Sequence, residues 1–151
     1  MSTPELEMEL ARELRAIVHK VAKHTTSDDA LREAILQARA MHGLLGEAPR
    51  PRWFDTLDDD GRSDARNLDF NAYGLYRGRA NPIAPPVDAS VIELPDGRPA
   101  VQALVTCSRL YEGPPNGVHG GYVAGLFDDI LGGTMRFVGG PTGVTGTLEV
   151  K

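Results

Sequence analysis

Only one cysteine, Cys107, occurs in the 151 residues. That scarcity excludes an internal disulfide and any zinc site built on several thiolates, and nothing in the chain asks for an oxidising compartment. No second histidine or cysteine stands at ligand spacing from His119, so no metal is expected, and no cofactor is implied. Long apolar runs are missing as well, because charges or prolines interrupt every candidate for a bilayer span. The first turns carry Glu5, Glu7, Glu9 and Arg12, which suit neither the apolar core of a secretory signal nor an acid-poor transit peptide. The expected location is cytoplasmic. An excess of positive charge is also absent. A net charge of -5 opposes a broad nucleic-acid or anionic-membrane surface, and leaves a nucleotide carrier on a local basic patch as an open alternative.

What is present, 41% hydrophobic and 25% charged residues, describes one globular domain with a small helical attachment. Thr3-Pro4 reads as a cap and first helical position, and Leu6, Leu10, Leu14, Ile17 and Val21 recur at helical spacing, which predicts a helix over 4–23. After a polar break, Ser27 is a second cap. Leu31, Ile35, Ala38, Met41 and Leu45 then mark a second stripe ending near Gly43 or Gly46. Residues 1–46 are therefore expected to form a helical hairpin. Residues 47–77, with Pro49, Pro51, the acidic run Asp58 to Asp60 and the anchors Trp53 and Phe54, read as a surface linker. The adjacency of the three aspartates does not suit a calcium loop, which alternates its ligands.

Beyond Asn81-Pro82, the run Ala89 to Leu94, the turn residues Pro95 to Pro99 and the alternation of Val101, Ala103, Val105 and Cys107 predict a β-hairpin. Cys107, on its apolar face, reads as a small core residue. A glycine-rich turn, Asn116 to Gly121, precedes a helix from Tyr122 to about Val138. Alternation from Val144 to Val150 then predicts a third strand.

The chemistry is expected at that turn. Glycines at 120 and 121 leave unpaired N–H groups and the positive end of a helix dipole open to a ligand oxygen. No Gly-Lys-Ser or Gly-Lys-Thr follows, so the turn is not a P-loop, and a polarised carbonyl fits better than a phosphate. On a helical wheel, Val123, Leu126, Phe127, Ile130, Thr134 and Phe137 share an apolar face. Gly125, Asp128, Asp129, Gly132 and Arg136 lie opposite. The glycines predict close approach by an acyl chain or a second helix. Asp128, at the border of the apolar face, is expected to be the more desolvated carboxylate and thus the base or nucleophile. His119 is expected to fix the turn by hydrogen-bonding backbone.

The string Tyr111 to Gly121, with Asp128 seven positions after the second glycine, resembles hotdog-fold acyl-CoA thioesterases of the phenylacetate-degradation type, whose hallmark is His-Gly-Gly ahead of a helix bearing an acidic residue at that offset. Asn81-Pro82-Ile83-Ala84-Pro85-Pro86 looks like the segment leading into that domain. The resemblance covers roughly residues 78–151 and implies an α+β hotdog fold, a long helix wrapped by a curved antiparallel sheet, with active sites shared across a dimer or higher homo-oligomer. It implies that an amide of Gly120 or Gly121 binds the thioester oxygen, that Asp128 of the facing subunit activates water or attacks, and that Thr145 assists. His119, Asn116, Gly125 and Asp129 are the expected substrate-binding residues. Relatives place an asparagine six positions before the histidine, where this chain has Gly113. They also continue for several further strands, so the sheet is expected to be incomplete here. The expected substrate is an acyl-CoA or acyl-carrier thioester. The alternatives are a non-catalytic acyl-thioester binding or assembly module and a hotdog hydratase or dehydratase.

Overall fold

The computed structural model describes residues 2–50, 72–137 and 145–149. In chain order it contains α1 (Thr3–Lys23), α2 (Asp28–Leu44), β1 (Val87–Glu93), β2 (Pro99–Val105), a 3-10 turn (Arg109–Tyr111) and α3 (Gly120–Phe137). The chain is thus α+β, with helices beside a two-stranded antiparallel sheet among the described residues.

Helix α1 starts one residue earlier than the sequence suggests. Ser2 is its cap, and the Ser2 backbone N–H donates to the Glu5 carboxylate at 2.7 Å, the reciprocal half of a capping box, which moves Pro4 inside the first turn. Its docked part is the N-terminal half, where Ala11 is 2% exposed, whereas Ile17 and Val21 are 54% and 67% exposed. Ser27 caps α2 by accepting from Ala30 N–H, and α2 has no buried residue. The two helices follow one another as expected, but their apolar stripes do not close into a shared core.

The hairpin pairs Val87 with Val105 and Glu93 with Pro99. Its turn is made by the Gly97 N–H donating to Leu94 O at 2.8 Å, followed by Gly97 at φ 81. This is a type I turn whose next residue takes the left-handed region, and glycine meets that need without a Cβ penalty. Asp96 adds a side-chain bond from Arg98 N–H at 3.1 Å. Cross-strand register gathers Val87, Ala89, Val91, Val101, Ala103 and Val105 on one face. Cys107 lies beyond the end of β2, half-buried.

Residues 145–149 carry no strand, contrary to the alternation. The Thr145 side chain is instead turned onto α3, and ladder bonds to a described neighbour are absent. Val144 and Val150, like Val138, Trp53, Phe54 and the run Asp58 to Asp60, lie outside the described residues.

The tightest packing is around residues 72–86, which the sequence divides between a linker and the start of the domain. Ala84 is 0% and Ala80 8% exposed. Asn81 knots the segment: its amide donates to Tyr73 O and Gly74 O at 3.1 and 3.2 Å, and its Oδ1 accepts from Ile83 N–H at 3.0 Å. Arg15 of α1 then donates to Ala84 O at 2.7 Å and Asn81 O at 2.8 Å, satisfying carbonyls that the knot leaves pointing outward. These bonds fix α1 to the rest of the fold.

Candidate functional site

The glycine turn is a closed loop. Gly117 N–H donates to Pro114 O at 2.9 Å and Gly113 N–H to Gly117 O at 2.9 Å. Asn116 sits between them at φ 61. Proline at the second position and a left-handed asparagine at the third make a type II turn. Asn116 therefore serves the backbone, and its N–H is donated to Glu112 Oε1 at 3.3 Å. Gly113, where relatives would carry asparagine, has no room for a side chain, since a Cβ would lie 2.7 Å from His119 Cα.

His119 precedes α3 as its capping residue. Its N–H donates to Tyr111 O at 2.7 Å, and its carbonyl accepts from Tyr122 and Val123. Its ring Nδ1 accepts the Gly121 N–H at 3.1 Å, so a neutral ring carries its proton on Nε2. One consequence alters the expected site. The Gly121 amide is occupied within the chain, whereas the exposed Gly120 N–H is given no acceptor among the described residues. Of the two expected oxyanion donors, Gly120 is the open one.

The orientation of α3 also differs from the wheel. Leu126 is 6% exposed, but Phe127, expected on the core face, is 59% exposed, and Leu131 is 57% exposed. Beside Leu126 and the half-buried Val123 and Ile130, the covered side also takes in Tyr122, Gly125 and Asp129. The reason is the segment before β1: at Gly125 an added Cβ would overlap the hydroxyl and ring of Tyr76, and the Tyr76 and Tyr122 rings meet at 5.4 Å. The close approach that a small residue permits is thus used by Tyr76 of the same chain. The face of Gly125 expected to meet substrate is the one that packs against Tyr76. Gly132, by contrast, has nothing within 4 Å of a built Cβ.

Asp129 is held the same way. Arg77 Nε donates to its Oδ2 and Arg77 Nη2 to its carbonyl at 3.2 Å, with the two side chains 16% and 10% exposed. A buried carboxylate satisfied by a guanidinium is committed to structure, because withdrawing either partner strands a charge. Asp129, expected to be the more solvated carboxylate and a substrate contact, is thus 10% exposed and paired with Arg77. Asp128, half-buried, accepts on Oδ1 from the Thr145 hydroxyl, and its Oδ2 has no protein donor among the described residues. The structure therefore brings Asp128 and Thr145 together at the middle of α3, and keeps Gly120, Gly121 and His119 together at its start.

Behind the turn, the Tyr111 and Tyr122 rings meet at 4.4 Å, tilted by 41°, and Tyr111 donates to Ile83 O at 3.0 Å. Burial, then the neighbouring Tyr111, Cys107 and Tyr76, pushes the Tyr122 phenol far above its ordinary value. Burial likewise raises the Cys107 thiol, which keeps it protonated and poorly nucleophilic. Sequence reasoning missed Tyr76, Arg77 and Arg15. Comparison with protein-family models, curated proteins and solved structures finds no match to this chain.

Proposed function

We propose that this chain hydrolyses an acyl thioester, with the Gly120 N–H as donor to the carbonyl oxygen and Asp128 as the base that activates water or the nucleophile that attacks the carbonyl. The observation that carries the reading is the Asp128 carboxylate. One oxygen is held by Thr145, and the other has no protein donor among the described residues, on the helix whose first amide has no acceptor among them. A hydrogen bond on Oδ1 fixes the carboxylate plane, which places Oδ2 to take a proton from water. A single preorganised donor at the helix start, assisted by its dipole, stabilises the charge that develops on the thioester oxygen.

Spacing supports a shared site. Eight residues separate Gly120 from Asp128, roughly 12 Å along a helix rising 1.5 Å per residue, too far for both to serve one carbonyl. A homodimer that sets two such helices antiparallel would bring the amide of one protomer to the aspartate of its partner. Helices beside an antiparallel hairpin, with α3 touching β2, are compatible with a hotdog arrangement. The exposed Phe127 and Leu131 supply apolar surface to such an interface.

The test is release of free thiol from short, aromatic and long acyl-CoA esters by the chain and by Asp128→Asn. Turnover reduced by about 10²–10⁴ in the variant, the usual worth of a positioned base, supports the reading. Binding of the esters without turnover in either chain would favour the acyl-thioester binding module instead.

A further inference from the structure

A groove of about 670 Å³ opens between α1, residues 77–79 and the open end of the β-hairpin. Four arginines line it, Arg12, Arg15, Arg77 and Arg79, against one carboxylate, Asp88. In a chain of net charge -5 this is a local reversal of sign. The four are not equally committed. Arg12 pairs with Glu9 and Glu13, and Arg77 with Asp129. Arg15 spends its donors on the carbonyls of Asn81 and Ala84, which hold the guanidinium in place without neutralising it. Arg79 is exposed and has no carboxylate partner among the described residues. The rest of the lining is largely apolar, with Leu104 63% exposed at the hairpin end.

A fixed cation, a forked donor without a carboxylate partner among the described residues and an apolar lining together suit a ligand that carries phosphates on an apolar-faced base. We infer that this groove binds the phosphate-bearing nucleotide of the substrate, so that the acyl group arrives on a nucleotide carrier and not on a carrier protein. Assigning the nucleotide to the substrate rests on the thioesterase reading; the affinity of the groove for a nucleoside diphosphate does not. Arg77 joins the two places, because it lines the groove and donates to Asp129, the neighbour of Asp128.

The experiment is calorimetric titration of the full chain with ADP, coenzyme A and adenosine, for the unmodified protein and for Arg79→Gln and Asp88→Asn. Both substitutions are at exposed positions, and circular dichroism checks that each variant keeps the fold. ADP and coenzyme A should bind and adenosine should not. Arg79→Gln should weaken binding about tenfold, the worth of one charge-assisted bond, and Asp88→Asn should tighten it by removing repulsion. Affinity should fall as salt rises. Absence of ADP binding at roughly millimolar ligand, or equal affinity across the three proteins, overturns the proposal.

Kinetics separates this from the thioesterase reading. Hydrolysis of acyl-pantetheine as efficient as that of acyl-CoA, unchanged in Arg79→Gln, would sink the groove and leave the hydrolase standing. ADP binding that depends on Arg79, in a chain that releases no thiol, would uphold the groove's affinity and remove its link to substrate.

Discussion

Replacing Gly125 by alanine would ordinarily stabilise a helix, by about 1 kcal/mol, because alanine loses less backbone freedom on folding. Here the new Cβ would meet the Tyr76 hydroxyl and ring, so the tyrosine must leave its place against α3. Overpacking of this kind costs about 1–3 kcal/mol, and separating the Tyr76 and Tyr122 rings, 5.4 Å apart, costs about 0.5–1.5 kcal/mol more. Set against the helical gain, Gly125→Ala should destabilise the protein by about 1–3 kcal/mol. Gly132→Ala, on the same helix with nothing within 4 Å of its Cβ, should stabilise by up to about 1 kcal/mol. The decisive comparison is made in a Tyr76→Ala background, where the obstruction is gone and Gly125→Ala should change sign to become stabilising. Urea denaturation of the four proteins gives the coupling directly. Stabilisation by Gly125→Ala in the otherwise unmodified chain would refute the seating of Tyr76, and with it the orientation assigned to α3.

Two further outcomes follow from how α1 is docked. Arg15→Gln removes charge-assisted bonds to two carbonyls and should cost about 2–4 kcal/mol, with hydrogen exchange accelerating in α1 and at residues 81–84 more than in β1 and β2. Glu7 is held below its ordinary value of 4.5, first by the neighbouring Tyr73 phenol and then by Arg50, 2.8 Å away. A depressed carboxylate contributes stability that is complete above the unfolded value and is lost as pH falls through the folded one, so acid should loosen this contact. Thermal melts should therefore show stability falling below pH 4.5 in the unmodified chain, and falling less in Glu7→Gln, which has no such charge to lose.

Much of the secondary structure was legible because its signals are local. Ser27 ahead of an apolar stripe, Pro95-Asp96-Gly97 between two alternating runs, and glycines before Tyr122 each specify a cap, a turn or a helix start by their own stereochemistry. The third strand was not, since alternation over 144–150 says which faces a strand would have without supplying a neighbour to pair with. Helical spacing likewise located α3 and its buried Leu126, but not how far the covered side extends. Phe127 looked like core by hydropathy, whereas Tyr76 and Arg77, about fifty residues upstream, cover Gly125 and Asp129. No periodicity within α3 encodes that choice. At the site, the open turn could be read from Gly120 and Gly121. That the His119 ring bonds backbone at the turn was expected; that it takes the Gly121 amide is a matter of rotamer, which sequence does not display.

The central claim is that Gly120 of one chain and Asp128 of another act on the same thioester, and mixing two inactive variants tests it most directly. Gly120→Pro deletes the N–H at the first helical position, where proline is tolerated, and Asp128→Asn deletes the base. Each alone should release little thiol from acyl-CoA. Unfolded together and refolded in equal amounts, they should regain about a quarter of the unmodified activity, since half of the dimers are mixed and each of those holds one intact site. A mixture as inactive as its parents would place both groups in one chain or outside the site, and undiminished activity in either parent would contradict the mechanism itself.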